Sequence, residues 1–157
     1  MTNVTINQEV RLSEHFKLAE LCKTSVRTAD GNIPSHAAIE NLKRLSGWLE
    51  MLRSEWNTRY GDGDDPVIIN SGYRSPQVNK AVGGVATSNH LTGCAVDIRV
   101  LGMEQLLRYA DILLDISDES QEDFDELLIE RNARGTYWLH FAVRPEGNRR
   151  KIRLIAC

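Results

Sequence analysis

Between Ser88 and Asp97 the chain reads S-N-H-L-T-G-C-A-V-D, with an imidazole and a carboxylate seven residues apart and small residues between them. Both side chains are good zinc ligands. Gly93, Cys94 and Ala95 let a loop turn into a strand without crowding an ion. A third ligand has to come from far along the chain, and His140 stands in the aromatic run Tyr137-Trp138-Leu139-His140-Phe141. Two imidazoles and one carboxylate leave a fourth tetrahedral position for water, the ligand count of a catalytic zinc. Such an ion polarises a carbonyl and lowers the pKa of its water to roughly 7, which suits hydrolysis of an amide or related acyl bond. The reaction also needs a base. Glu130, which closes the run Leu127-Leu128-Ile129-Glu130 before a hairpin leading to His140, is the first candidate, ahead of Glu126 and Glu122. Arg74 follows a short apolar run and offers a guanidinium for a substrate carboxylate or an oxyanion.

Other reactive residue types carry less. His15 and His36 each sit at an expected helix start with no partner pattern and read as ordinary polar residues. The three cysteines, Cys22, Cys94 and Cys157, are widely separated and form no disulfide framework. Cys94 reads as a small packing residue. Five cationic residues between Arg144 and Arg153 read as a charge-protected strand edge, with an anionic surface as the other option.

These residues need a scaffold. At 157 residues, 41% hydrophobic and 26% charged, the chain fits one soluble domain, 1–157, with a lead-in segment over 1–12 and a C-terminal strand and tail over 144–157. The net charge of −3 and the scattered basic residues argue against nucleic acid as a partner. No apolar run reaches membrane-spanning length, and the N-terminus lacks the basic and apolar regions of a signal peptide. The expectation is synthesis in the cytoplasm, with any action elsewhere requiring another route of release.

Ser13 is the expected N-cap of a short helix, and Pro34-Ser35 opens the longest one. In the latter, Ala38, Leu42, Leu45, Leu49, Leu52 and Trp56 step along one face, widened by Trp48 and Met51. Val67–Ile69 predicts a short strand, Ser75-Pro76 a short helix ending at Gly83-Gly84, and Cys94–Val100 a strand. Met103, Leu106, Leu107, Ala110, Leu113 and Leu114 predict a second amphipathic helix, followed by an acidic loop or helix end over Asp115–Asp123. Strands are expected over Phe124–Glu130, Thr136–Val143 and Lys151–Ile155. Period-two alternation puts Trp138, His140 and Ala142 on one strand face. Helices first and mostly antiparallel strands later make the domain α+β.

The S-x-H-x-x-G-x-A-x-D signature resembles that of the zinc D-Ala-D-Ala carboxypeptidase family, which also holds VanX-type dipeptidases and phage L-alanyl-D-glutamate endolysins. The resemblance extends over most of residues 12–143. It takes in Ser13-Glu14-His15-Phe16, Leu18-Ala19-Glu20-Leu21, Asn41-Leu42, Ser71-Gly72-Tyr73-Arg74-Ser75-Pro76, Asn79, Ala81-Val82-Gly83-Gly84, Thr87-Ser88-Asn89-His90 and Trp138-Leu139-His140. It implies one zinc per chain held by His90, Asp97 and His140. It implies that Arg74 binds substrate or stabilises the transition state, and that Ser88 lines the substrate side. It further implies a small central antiparallel sheet with helices mainly on one side, as in the Hedgehog signalling domain, and a peptidoglycan stem peptide as substrate, cut beside a D-amino acid. Many members carry an acid three residues before the last histidine. Here that position is Tyr137, which leaves Glu130 to supply the carboxylate. A zinc metallopeptidase, most simply a monomer, is the first expectation. The alternatives are a catalytically weak or inactive zinc-fold module that binds cell wall or a protein partner, and a zinc amidase for some other small amide.

Overall fold

The computed structural model describes residues 5–156; residues 1–4 of the lead-in segment and Cys157 lie outside the described residues. In chain order the elements are α1 (Leu18–Leu21), α2 (His36–Arg59), β1 (Ile69–Ser71), α3 (Pro76–Ala81), β2 (Ala95–Arg99), α4 (Met103–Ser120), β3 (Glu126–Arg131), β4 (Tyr137–Ala142) and β5 (Lys151–Ala156). A 3-10 turn over Asn89–Thr92 precedes β2. The strands form one sheet in the order β1-β2-β4-β3-β5, so the fold is α+β as expected. Four strands are antiparallel, and β5 adds to β3 in parallel.

The strand pleat separates two chemistries. Val96 and Ile98 of β2, Leu127 of β3, and Leu139 and Phe141 of β4 turn to a core shared with Leu42, Leu45, Trp48 and Leu49 of α2 and Leu106, Ile112 and Leu113 of α4. Trp48 meets Phe141 with ring centroids 5.4 Å apart. Each fully buried leucine of α2 contributes about 1.5–3 kcal/mol relative to an exposed one. The intervening residues, Asp97, His140, Glu126 and Glu130, occupy the opposite face. Ser35 caps α2 by accepting from the Ala38 backbone N–H at 3.2 Å, and Ser75 caps α3 by accepting from Val78.

Three local expectations are corrected. Ser13 caps no helix: its hydroxyl donates to Glu50 Oε1 at 2.7 Å, the His15 backbone N–H donates to the same oxygen at 2.6 Å, and the helix forms only at Leu18. That tertiary carboxylate, on the middle of α2, outcompetes the local cap. The strand expected at Val67–Ile69 runs over Ile69–Ser71, and its pairing with β2 carries a register irregularity between those two residues. Of the two forms expected for the acidic segment after Leu114, it takes the helix end, α4 continuing to Ser120. Met51, Met103 and Leu107, expected on buried helix faces, are exposed.

Candidate metal centre

Local structure fixes His90 before any ion is considered. The Ser88 hydroxyl accepts from the His90 backbone N–H at 3.2 Å and starts the 3-10 turn. Gly93 ends it in the left-handed region, φ 74°, where a Cβ would also lie 2.5 Å from the Ala38 carbonyl oxygen. The His90 ring places Nδ1 2.7 Å from the Gly72 carbonyl, which fixes Nδ1 as the protonated nitrogen and frees Nε2. Gly72 is itself pressed against the chain, with a Cβ there falling 2.1 Å from the Leu21 carbonyl oxygen.

Asp97 and His140 face one another across the β2–β4 ladder. His140 Nδ1 lies 3.0 Å and His90 Nε2 3.3 Å from Asp97 Oδ1. All three residues are buried, and one donor atom from each lies within 4.8 Å of the others. Two imidazoles and a carboxylate converging in a buried spot match the donor set of a zinc site with an open position. Burial works to raise the Asp97 carboxyl, but the histidines beside it hold it far below the ordinary range. Burial likewise opposes charge on His140, yet hydrogen bonds to Asp97 and Glu126 push its imidazole up to about 9. The residues present therefore suit a metal ion, which would take the place of a proton among them.

Arg74 reaches the same place. Its Nη2 donates to Asp97 Oδ2 at 3.2 Å and its Nε to the Ser71 hydroxyl at 3.1 Å. Ser88 lines the cleft beside it. Glu130 also lines the cleft, 3.7 Å from His140 Nδ1 and opposite Trp138 in the ladder. Burial raises its carboxyl above the usual range. Glu122 precedes β3, outside the residues that line the cleft. His15 pairs with Glu50 at 2.7 Å, away from the site, and His36 opens α2. Burial raises both the Cys94 and Cys22 thiols, the latter to about 12, as befits packing residues.

The structure adds a network that sequence reasoning misses. Glu126 Oε1 lies 3.2 Å from His140 Nε2, so the ring meets a carboxylate behind it and turns Nδ1 toward Asp97. The same oxygen accepts from Asn89 Nδ2 at 2.6 Å, and Asn89 donates also to Asp125 Oδ2 at 2.8 Å. The hydrogen bond to His140 holds the Glu126 carboxyl down at about 2. Asp125, 0% exposed, is bridged by Arg149 Nε at 2.9 Å and Nη2 at 2.8 Å. The signal was the F-D-E run at 124–126: acids at a strand start belong on a buried face only if cations meet them.

Burial works to raise the Asp125 carboxyl, and the bonds from Arg149 and Asn89 outweigh it and hold it below the ordinary range. Its stabilising contribution is complete above the unfolded value of about 3.9 and is lost as pH falls through the lower folded value. Asp125→Asn is expected to cost about 3 kcal/mol near neutral pH. The deficit should shrink toward about pH 3. Urea unfolding of variant and parent, both metal-free, at the two pH values measures this. An equal deficit at both would remove the ion pair as its source.

An α+β sheet carrying a two-histidine, one-aspartate cluster with a guanidinium beside it is the architecture of a metallopeptidase. The chain belongs to the peptidase M15 family, whose model matches residues 14–118. That match includes Arg74, His90 and Asp97, while His140, Glu126 and Glu130 lie beyond it. Over 84 residues the chain is 30% identical to the zinc D-Ala-D-Ala carboxypeptidase of Streptomyces albus G. The aligned stretch covers 54% of this chain and 31% of that protein, so the chain spans about a third of the relative's length. Zinc stands in the name of that relative. Among the described residues, no helix is long and apolar enough to cross a membrane.

Proposed function

We propose that this chain is a zinc-dependent metallopeptidase that hydrolyses peptide bonds next to D-amino acids in peptidoglycan stem peptides. In this reading residues 1–157 act as one domain with one zinc per chain, held by His90 Nε2, one oxygen of Asp97 and His140 Nδ1. Bound zinc supplies a Lewis acid and an activated water. Glu130 takes the proton of the attacking water at its carboxylate and returns it to the leaving amine nitrogen. Arg74, tethered through Nη2 and Nε, keeps its remaining N–H groups for charge developing on the substrate. Ser88 lines the substrate side, and Glu126 holds His140 without taking part in proton transfer. The observation that carries the reading is the convergence of three buried ligand atoms in the cleft that also holds Glu130 and Arg74. The name of the Streptomyces relative supports D-amino acid peptides as the substrate class.

Incubation of zinc-loaded protein with purified muropeptides, with and without a chelator, tests this. The expected result is shortened stem peptides by mass spectrometry, lost on chelation and regained on adding zinc. Tight muropeptide binding with no product would favour the non-catalytic wall-binding module instead.

A further inference from the structure

The cationic run after β4 turns back onto the cleft. Arg144, Arg149 and Lys151 line the cavity that holds His90, Asp97 and His140. Both arginines are anchored through one edge. Arg149 grips the buried Asp125 through Nε and Nη2, while Arg144 Nε donates to Asn89 Oδ1 at 3.0 Å and lies 3.2 Å from Asp125 Oδ2. Among the described residues, the terminal nitrogens of Arg144 form no hydrogen bond, and the Arg149 side chain is 47% exposed. Lys151 Nζ forms a long ion pair with Glu126 Oε2 at 3.8 Å, beyond hydrogen-bond reach, and among the described residues its N–H donors make no hydrogen bond.

The charges at this end do not cancel. Arg144, Arg149 and Lys151 face Asp125 and Glu126, an excess of one cation in a chain whose net charge is −3. Glu126 is already engaged by Asn89 and His140. Contacts run from Arg74 through Asp97, His140 and Glu126 to Lys151, so this group and Arg74 bracket the three ligand atoms from opposite ends. A peptide crossing the site meets a cation on each side. Guanidinium groups already clamped by the protein lose little freedom when they take a second carboxylate.

We propose that Arg144, Arg149 and Lys151 form a carboxylate-binding shelf at one end of the cleft, selecting peptides with a free carboxylate near the bond to be cut. The proposal rests on the peptidase reading for its choice of a peptide ligand, but the recognition needs no cleavage. Two groups of a stem peptide offer this chemistry, the α-carboxylate of a γ-linked D-glutamate and the C-terminal carboxylate of D-alanine.

Zinc-loaded Glu130→Gln protein, titrated calorimetrically with one stem peptide in three forms, tests the shelf. One form is free, one is amidated at the D-glutamate α-carboxyl, and one is amidated at the C-terminus. Amidation at one of these positions is expected to weaken binding about tenfold, which identifies the group bound. Adding Lys151→Met should erase the difference, and Lys151→Arg, which keeps the charge, should restore it. Equal affinity for the three peptides, or a difference unchanged by Lys151→Met, overturns the shelf. Wild-type hydrolysis with equal KM for all three removes the shelf and leaves the peptidase reading standing. Lys151-dependent discrimination in protein that turns nothing over does the reverse.

Discussion

Replacing His140 with alanine is expected to empty the chain of zinc and to end hydrolysis with it. In the proposed site His140 would supply one of three ligand atoms, and its loss would leave Asp97 and His90 as an incomplete set. Loss of a partner behind a ligand costs roughly 10–100-fold in metal affinity. Loss of a ligand itself should cost more, so zinc content after gel filtration against a weak chelator should fall from near one per chain to a trace. Glu126→Gln is the informative companion. Its amide oxygen still accepts from His140 Nε2, so zinc should stay while its affinity weakens by no more than that range. Full zinc loading of the His140→Ala protein would take the proposed ligand set apart.

Glu130→Gln should do the opposite, keeping zinc and losing chemistry. The side chain is nearly isosteric, and Glu130 stands 3.7 Å from His140 Nδ1. A kcat fall of about 10²–10⁴-fold with little change in KM is the size expected for a lost general base. Burial raises the Glu130 carboxyl, while the hydrogen bond from His140 holds Glu126 at about 2. Of the two carboxylates, the first is tuned toward taking a proton and the second toward staying ionised. Steady-state kinetics on a muropeptide with metal content measured in parallel separates the effects. Undiminished kcat in the variant would move the base elsewhere.

The sequence carried the candidate ligands more clearly than their supports. Asp97 and His140 alternate with Val96, Ile98, Leu139 and Phe141, so period-two reading alone places them on the face away from the core. The helix over His36–Arg59 is legible from its leucine spacing and its Ser35 cap. The rest depends on contacts between distant segments. Nothing local tells that Glu50 will claim Ser13 and His15, because Glu50 lies mid-helix and far along the chain. Nor does the run from Arg144 to Arg153 reveal its target. Its cations read as solvated until Asp125 and Glu126 are seen packed beneath them. The parallel addition of β5 is hidden for the same reason: a strand that follows a loop has no local mark of its direction.

The register of the central ladder also bears on which length changes this family can inherit. Asp97 and His140 are locked opposite one another by the β2–β4 pairing, and Glu130 is held to Trp138 by β3–β4. The turn joining β3 to β4, residues 132–136, lies beyond the last paired residues, Arg131 and Tyr137. Insertions there would lengthen an exposed tip and leave every donor atom where it is, whereas one residue gained within β4 would swing His140 into the oily interior. Natural variation in loop size should therefore collect at that tip, sparing the strands on either side.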